Sequence, residues 1–178
     1  GRRHTTKQTI DAYNLARKVG IKNINMDLIA GLMGDSVESF KNTVDGVIKL
    51  GAENITVHTL SVKRAADLRD EGEKVHEQND ANASLMVEYA QKSLLENGYE
   101  PYYLYRQKHT SGNTENIGFC KRDLISAYNV RIMEEAQSIL ALGAGGISKV
   151  YYPDENRLER VANVSNYEIY IGRIDEMI

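Results

Sequence analysis

The spacing of hydrophobic residues along this chain predicts helices and strands in alternation. From Thr6 the apolar positions recur every three or four residues, and Gly20 can end this helix in the left-handed conformation. The side chains expected to be buried there are Ala12, Leu15, Ala16 and Val19. Residues 24–30 instead alternate between apolar and polar, which is the period of a strand and puts Asp27 on its more polar face.

A second helix and a second strand follow the glycine turn at residues 31–34. Asp35 and Ser36 are favourable N-caps, and Gly51 ends the helix. Its apolar positions keep the helical period: Val37, Phe40, Val44, Val47 and Ile48. Residues 55–62 are rich in β-branched side chains, so the region is predicted to form a β-α-β unit with parallel strands.

The pattern changes near residue 108, which divides the predicted fold into two parts. Before it we expect a polar, partly helical lid or insertion at 63–79, a helix through Met86, Tyr89, Ala90 and Leu94, and a strand at 99–107. After it we expect a polar loop, a short helix at 133–142, an antiparallel hairpin of 148–152 and 158–164, and a helix from Tyr167. The fold class is therefore α/β, with residues 1–108 forming the strand–helix repeats and residues 109–178 a small α+β region.

Composition and charge exclude several classes of protein. A net charge of -3 and a pI near 5.9 give no basic footprint for nucleic acid. No apolar run approaches the length of a bilayer and no signal-like segment begins the chain, so we expect a cytoplasmic enzyme without a membrane partner. The start at Gly1, without a methionine, fits a segment excised from a longer protein, and processing would give an identical start. Cys120 is the single cysteine, which excludes an internal disulfide and any multi-cysteine metal site built from this chain alone.

Three polar side chains are candidates for ligand contact. Asp27 would point into the lumen of a parallel barrel, either to contact a ligand or to pair with a lysine or arginine of the neighbouring strand. His58 could meet a substrate on the same face, or be a hydrogen-bonded core histidine. Arg106 could bind substrate carboxylates bidentately, or be a solvated surface charge.

Two further motifs have ordinary explanations beside a functional one. The tyrosines of residues 99–105 could form a flat wall for a macrocycle, although aromatic alternation also serves strand packing. The glycines at 143–146 follow a predicted helix and enter a predicted strand. A dinucleotide-binding loop has the opposite order, so these glycines do not indicate one.

Several phrases together resemble one family. They are GRRHT at the start, DLIAGLMGDS after the first strand, ENITVHTLSVKRA, YYLYRQK with GNTEN, and GAGGIS. The chain is similar to the oxygen-independent coproporphyrinogen III oxidases, and especially to their coproporphyrinogen dehydrogenase branch, within the radical S-adenosylmethionine (SAM) enzymes. One departure is Met33, which stands where the family's turn usually has proline.

The resemblance implies a partial radical-SAM (β/α) barrel and a specific reaction. A [4Fe-4S] cluster and SAM would oxidatively decarboxylate two propionates of coproporphyrinogen III to vinyl groups, giving protoporphyrinogen IX in haem biosynthesis. By matching position, Arg2 and Asp27 resemble SAM contacts, and Ser61 and Ile147 fall at a second SAM or substrate-side contact. The family's three cluster cysteines lie upstream of this sequence, so the chain alone is expected to be inactive.

Two other functions remain open on the sequence. A haem chaperone related to the same enzymes would bind haem without oxidising coproporphyrinogen, and another radical-SAM enzyme would act on a different substrate. For the oxidase we expect a porphyrinogen substrate and an electron donor. We also expect a half-barrel to self-associate or to be locally disordered, because its strand edge and inner face are open.

Overall fold

The computed structural model describes residues 3–60, 73–105 and 115–176, and it divides the chain into two compact units, Gly1–Ser126 and Ala127–Ile178. The first unit contains α1 (Thr6–Lys18), β1 (Asn25–Ala30), α2 (Val37–Leu50), β2 (Asn54–Thr59), α3 (Glu73–Glu96), β3 (Tyr99–Tyr105) and β4 (Asn116–Lys121). The second contains α4 (Ala127–Glu134), β5 (Ile147–Tyr152), β6 (Arg157–Ala162) and α5 (Tyr167–Gly172). No helix among the described residues is long and apolar enough to span a bilayer.

The sheet of the first unit has the order β1-β2-β4-β3. β1 and β2 are connected by α2 and pair in parallel, as the predicted β-α-β unit requires. β4 is antiparallel to both of its neighbours, β2 and β3. The sequence prediction missed β4, because six residues with a central glycine give a weak local strand signal. Since β4 pairs with both β2 and β3, the first compact unit extends to Ser126, beyond the predicted boundary near residue 108.

The apolar core lies between one face of this sheet and the helices α2 and α3. The sheet contributes Leu28, Ala30, Ile55, Val57 and Phe119, and the helices contribute Phe40, Val44, Val47, Met86, Ala90 and Leu94. Ser36 caps α2 by accepting a hydrogen bond from the Ser39 N–H, and Gly51 ends it at φ +82°. The predicted periodicities of α2 and α3 are thereby confirmed.

The predicted buried stripe of α1 is wrong. Leu15 is 60% exposed and Val19 is 67% exposed, and the buried residue of this helix is Tyr13. The Tyr13 hydroxyl donates to the Leu50 carbonyl at 2.8 Å, and it accepts from Arg17, whose guanidinium also binds the Glu53 carboxylate at 2.6 and 2.7 Å. Polar contacts at the end of α2 therefore decide which side of α1 faces the sheet.

Replacing Arg17 with methionine is expected to lower the free energy of unfolding by about 1–2 kcal/mol at neutral pH. Burial raises the pKa of Glu53, but hydrogen bonds from Arg17 and the Ile24 backbone outweigh it and leave that pKa below its ordinary value. A carboxyl with a lowered folded-state pKa stabilises the fold above its ordinary pKa and loses this effect as the pH falls through the folded value. Urea unfolding should therefore show the two proteins converging in acid; a difference independent of pH would contradict the ion pair's role.

The second unit consists of α4, the β5-β6 hairpin and α5, and the predicted hairpin and terminal helix are confirmed. The predicted helix at 133–142 is wrong, since α4 ends at Glu134 and the following Glu135 has φ +52°. Ile139 beyond it forms a bridge with Lys149 of the hairpin. A left-handed residue that is not glycine gives no local signal, so the sequence pattern placed this helix too late.

Candidate functional site

The sheet face opposite the apolar core carries a polar surface. Alternation along each strand brings together on this face Asn25 and Asp27 of β1, Thr56 and His58 of β2, and Tyr103 and Tyr105 of β3. Asp27 and His58 lie on the same face, as predicted. The Asp27 side chain is 59% exposed and that of His58 is 27% exposed, so both remain accessible to a ligand.

A cavity of about 600 Å³ opens beside Asp27 and His58. The residues that line it come from the segment before α1, from β1 and β2, from the turn after β1 and from α2: His4, Asp27, Leu28, Ile29, Leu32, Asp35, Phe40, Thr43 and His58. The volume is within the range of about 300–1,000 Å³ that small-molecule sites occupy. The cavity beside Asp27 thus combines space with an acidic side chain.

Two neighbouring side chains, Asn25 and His58, approach the Asp27 carboxylate. The Asn25 amide donates to its Oδ1 at 2.7 Å, and His58 Nε2 lies 3.6 Å from the same oxygen. The adjacent imidazole, followed by the Asn25 hydrogen bond, holds the pKa of Asp27 below its ordinary value despite partial burial, so the carboxylate is ionised at neutral pH. No lysine or arginine among the described residues pairs with it.

The two tyrosines reach from β3 across β4 to β2. The Tyr103 hydroxyl lies 3.1 Å from Thr56 Oγ1, and the Tyr105 hydroxyl lies 3.1 Å from His58 Nδ1. Their rings are nearly parallel, at 7° with centroids 6.4 Å apart. Sequence reasoning noticed the tyrosines but missed these contacts, since they depend on the unpredicted position of β4.

Gly118 of β4 is what lets Tyr103 cross the sheet. It pairs with Thr56 on one side and with Tyr103 on the other, so a side chain here would lie between them. A Cβ built on Gly118 would come 1.9 Å from the Tyr103 ring. The glycine is therefore required by close approach, not by its backbone angles.

Asn116, in the GNTEN phrase, accepts a hydrogen bond from the last residue of β2. Its Oδ1 accepts the Thr59 N–H at 2.7 Å, and the residue is fully buried between β2 and β3. Its Nδ2 has no hydrogen-bond partner among the described residues. Asn116 thus replaces a backbone acceptor at the point where β2 stops pairing with β4, a role that the sequence alone did not reveal.

The other candidate residues stay predictions. Arg2, Ser61 and Arg106 lie outside the described residues, as does most of the predicted lid at 63–79. Ile147 is the first residue of β5 in the second unit, where it pairs with Ala162 and is 54% exposed.

Cys120 is an unsuitable ligand for a metal cluster in its present surroundings. Its side chain is buried on β4, and burial raises the pKa of the thiol, which disfavours the thiolate that metals bind. Within residues 3–60, 73–105 and 115–176, no three histidine, cysteine or acidic side chains converge as a metal site. Cys120 is also not among the residues that line the cavity beside Asp27.

Comparison with known proteins finds relatives of two kinds, an oxidase-like protein and haem chaperones. The chain is 42% identical over 175 residues to the oxygen-independent coproporphyrinogen-III oxidase-like protein HemZ of Bacillus subtilis, an alignment that covers 98% of this chain and 35% of that protein. It is 32% identical to the haem chaperone HemW of Lactococcus lactis over 111 residues, covering 57% of this chain and 27% of the chaperone. HemW of B. subtilis is 32% identical over 63 residues, covering 35% and 17%. No family model matches the sequence.

A solved structure shares the fold. Coproporphyrinogen III oxidase (HemN) from Escherichia coli, described as a radical SAM enzyme, matches 98% of this chain and 39% of its own with a TM-score of 0.60 and 18% identity. The predicted α/β fold class, as part of a larger fold, is thereby confirmed. The chain spans about a third of the length of its curated relative HemZ. Over 98% of its length the chain is therefore similar in sequence to an oxygen-independent coproporphyrinogen-III oxidase-like protein, and it shares its fold with part of HemN.

Proposed function

We propose that this chain forms part of a radical SAM oxidoreductase that converts coproporphyrinogen III propionates to vinyl groups, giving protoporphyrinogen IX in haem biosynthesis. The observation that carries the proposal is the ionised Asp27 carboxylate beside the cavity, in a chain of which 98% aligns with HemZ. An electron donor and a cytoplasmic setting belong to the same proposal.

The described residues fit SAM as a ligand. SAM carries a positive amino group and ribose hydroxyls, and an ionised, accessible carboxylate accepts hydrogen bonds from either. Asp27 would hold such a donor on the open face of β1, beside the cavity. When bound beside a reduced [4Fe-4S] cluster, SAM supplies the one-electron chemistry that removes a propionate hydrogen atom.

The cluster itself would be held by residues outside this sequence. Three thiolates are needed to ligate it, and the 178 residues contain one cysteine, which is buried. We therefore expect the chain alone to cleave no SAM after reconstitution with iron and sulfide. Iron analysis and a SAM-cleavage assay test this, and a stoichiometric cluster with turnover would contradict it.

Asp27→Asn is expected to weaken SAM binding about 10–100-fold, which corresponds to one charge-assisted hydrogen bond of about 1.5–3 kcal/mol. The protein for this test carries these 178 residues together with a cluster-binding part, and equilibrium binding and protoporphyrinogen formation are both measured. The matched control is Asp154→Asn, which removes an exposed carboxylate in the second unit. Equal SAM affinity in the two variants would count against Asp27 as a ligand contact.

A haem chaperone is the second candidate, and the similarity to HemW favours it. A chaperone should bind haem and form no protoporphyrinogen, whereas the proposed oxidase should form protoporphyrinogen in a SAM-dependent reaction. Haem titration and coproporphyrinogen turnover on the same preparation separate the two. SAM cleavage without porphyrinogen oxidation would instead indicate another substrate.

A further inference from the structure

Two lines of polar contacts cross the open sheet face and end on one oxygen of Asp27. In the first, the Tyr103 hydroxyl lies 3.1 Å from Thr56 Oγ1, which donates to Asn25 Oδ1 at 3.2 Å. Asn25 Nδ2 then donates to Asp27 Oδ1 at 2.7 Å. The line therefore connects β3 with β1 through β2.

The charge on Asp27 fixes every proton along this line. An ionised carboxylate only accepts, so the Asn25 amide must turn its NH₂ toward Asp27 and its oxygen toward Thr56. Thr56 has a single hydroxyl proton, which it donates in the hydrogen bond to Asn25 Oδ1. Thr56 must therefore accept from Tyr103, and the Tyr103 O–H is the donor at the far end.

The second line passes through His58. Its Nε2 lies 3.6 Å from Asp27 Oδ1, and its Nδ1 lies 3.1 Å from the Tyr105 hydroxyl. A neutral imidazole has one N–H, and the carboxylate favours it at Nε2. Nδ1 is then the acceptor, and Tyr105 is the donor.

Both tyrosines keep the proton that these lines require. Burial raises the pKa of Tyr103 and, separately, of Tyr105, above the ordinary tyrosine value. Each therefore stays a hydroxyl donor throughout the neutral range. Tyr103 and Tyr105 therefore remain hydrogen-bond donors at neutral pH, where Asp27 remains an ionised acceptor.

Both lines end at Oδ1 of Asp27, so the two carboxylate oxygens have different surroundings. The Asn25 hydrogen bond and the His58 contact both reach Oδ1, and the Asp27 side chain is 59% exposed beside the cavity. One oxygen is thus occupied by the protein, and the other remains available to a ligand. A ligand atom that donates, such as an amino or hydroxyl group, suits it.

We propose that Tyr103 and Tyr105 are positioning residues, which orient Asp27 through Thr56–Asn25 and through His58 so that Oδ2 alone accepts the ligand's donor. The inference deepens the proposed role of Asp27 as a SAM contact and rests on it. Neither tyrosine touches the ligand in this arrangement. Each acts by restricting the carboxylate to a single rotamer before the ligand arrives, which reduces the ordering cost of binding.

The test is an NMR measurement on the 178-residue chain without any ligand. Imidazole ¹⁵N spectra at mildly alkaline pH report the His58 tautomer, assigned by loss of its signals in His58→Gln, and ¹³C titration reports the pKa of Asp27. Wild-type protein should have the proton on Nε2. Tyr105→Phe should move the Nδ1 resonance to that of an imidazole nitrogen without a donor, and both Tyr105→Phe and Tyr103→Phe should raise the pKa of Asp27 toward its ordinary value.

Tyr128→Phe is the matched control, since Tyr128 is 64% exposed in the second unit. It should change neither signal. A wild-type His58 with its proton on Nδ1 would overturn the second line even if both variants failed to fold. An Asp27 pKa unchanged in Tyr103→Phe and Tyr105→Phe would overturn both lines. Because no SAM is present, a failure of the chain to bind SAM leaves these results intact and refutes only the proposed function.

Discussion

Gly118→Ala is expected to lower the free energy of unfolding by about 3 kcal/mol, the largest loss among the substitutions considered. The added Cβ would meet the Tyr103 ring at 1.9 Å, closer than any real contact allows, so the ring must leave its place across the sheet. Overpacking of this kind costs about 1–3 kcal/mol, and the lost Tyr103–Thr56 hydrogen bond adds about 1 kcal/mol. Urea unfolding followed by far-UV circular dichroism measures the change.

The matched control is Gly46→Ala in the middle of α2. No atom lies within 4 Å of a Cβ built there, so alanine should stabilise the helix by about 0.5–1 kcal/mol. A double variant, Tyr103→Ala with Gly118→Ala, removes the ring that the methyl group strikes. Its destabilisation should fall well short of the sum of the two single variants. Wild-type stability in Gly118→Ala would show that Tyr103 does not occupy this position.

Asn116→Ala is expected to cost about 2–3 kcal/mol. The substitution removes the acceptor that the buried Thr59 N–H uses at 2.7 Å, and it opens a small cavity between β2 and β3. Part of this cost is offset, since the unpartnered Nδ2 of Asn116 also disappears. The same urea experiment gives the magnitude, and hydrogen exchange should be faster at the Thr59 amide than at the Val57 amide.

Asn116→Asp distinguishes the hydrogen bond from simple packing. The carboxyl keeps the acceptor and the size of the amide, but its ionised form is fully buried and its folded-state pKa should be raised. The cost of this variant is therefore greatest above the ordinary aspartate pKa and shrinks as the pH falls. Asn116→Ala should show no such pH dependence. Equal behaviour of the two variants across pH would mean that the acceptor contributes nothing.

Elements whose signals are local could be predicted from the sequence. The Ser36 cap and the Gly51 end of α2 were both identified, because a cap or a left-handed terminus depends on a few adjacent residues. The two faces of β1 were also correct, since alternation separates Asp27 from Leu28 without any knowledge of neighbours.

Features that depend on partners distant in the chain could not be predicted. β4 is a strand because β2 and β3 lie on either side of it, and its own six residues signal this weakly. The exposed stripe of α1 has the same origin, since the Tyr13 contacts with Leu50 and Arg17 override an amphipathic pattern that was correct in period but wrong in direction.

The sequence by itself determined the α/β class, the β-α-β unit and the polar face that carries Asp27, and the family resemblance singled out that residue. Only the tertiary structure decided how Asp27 is held, because Tyr103, Tyr105 and His58 meet across a strand that the pattern had not indicated. The physical reason is the range of the interactions. Periodicity and capping act within a few residues, whereas a carboxylate's donors come from strands that are separated by dozens of residues and joined only in the folded sheet.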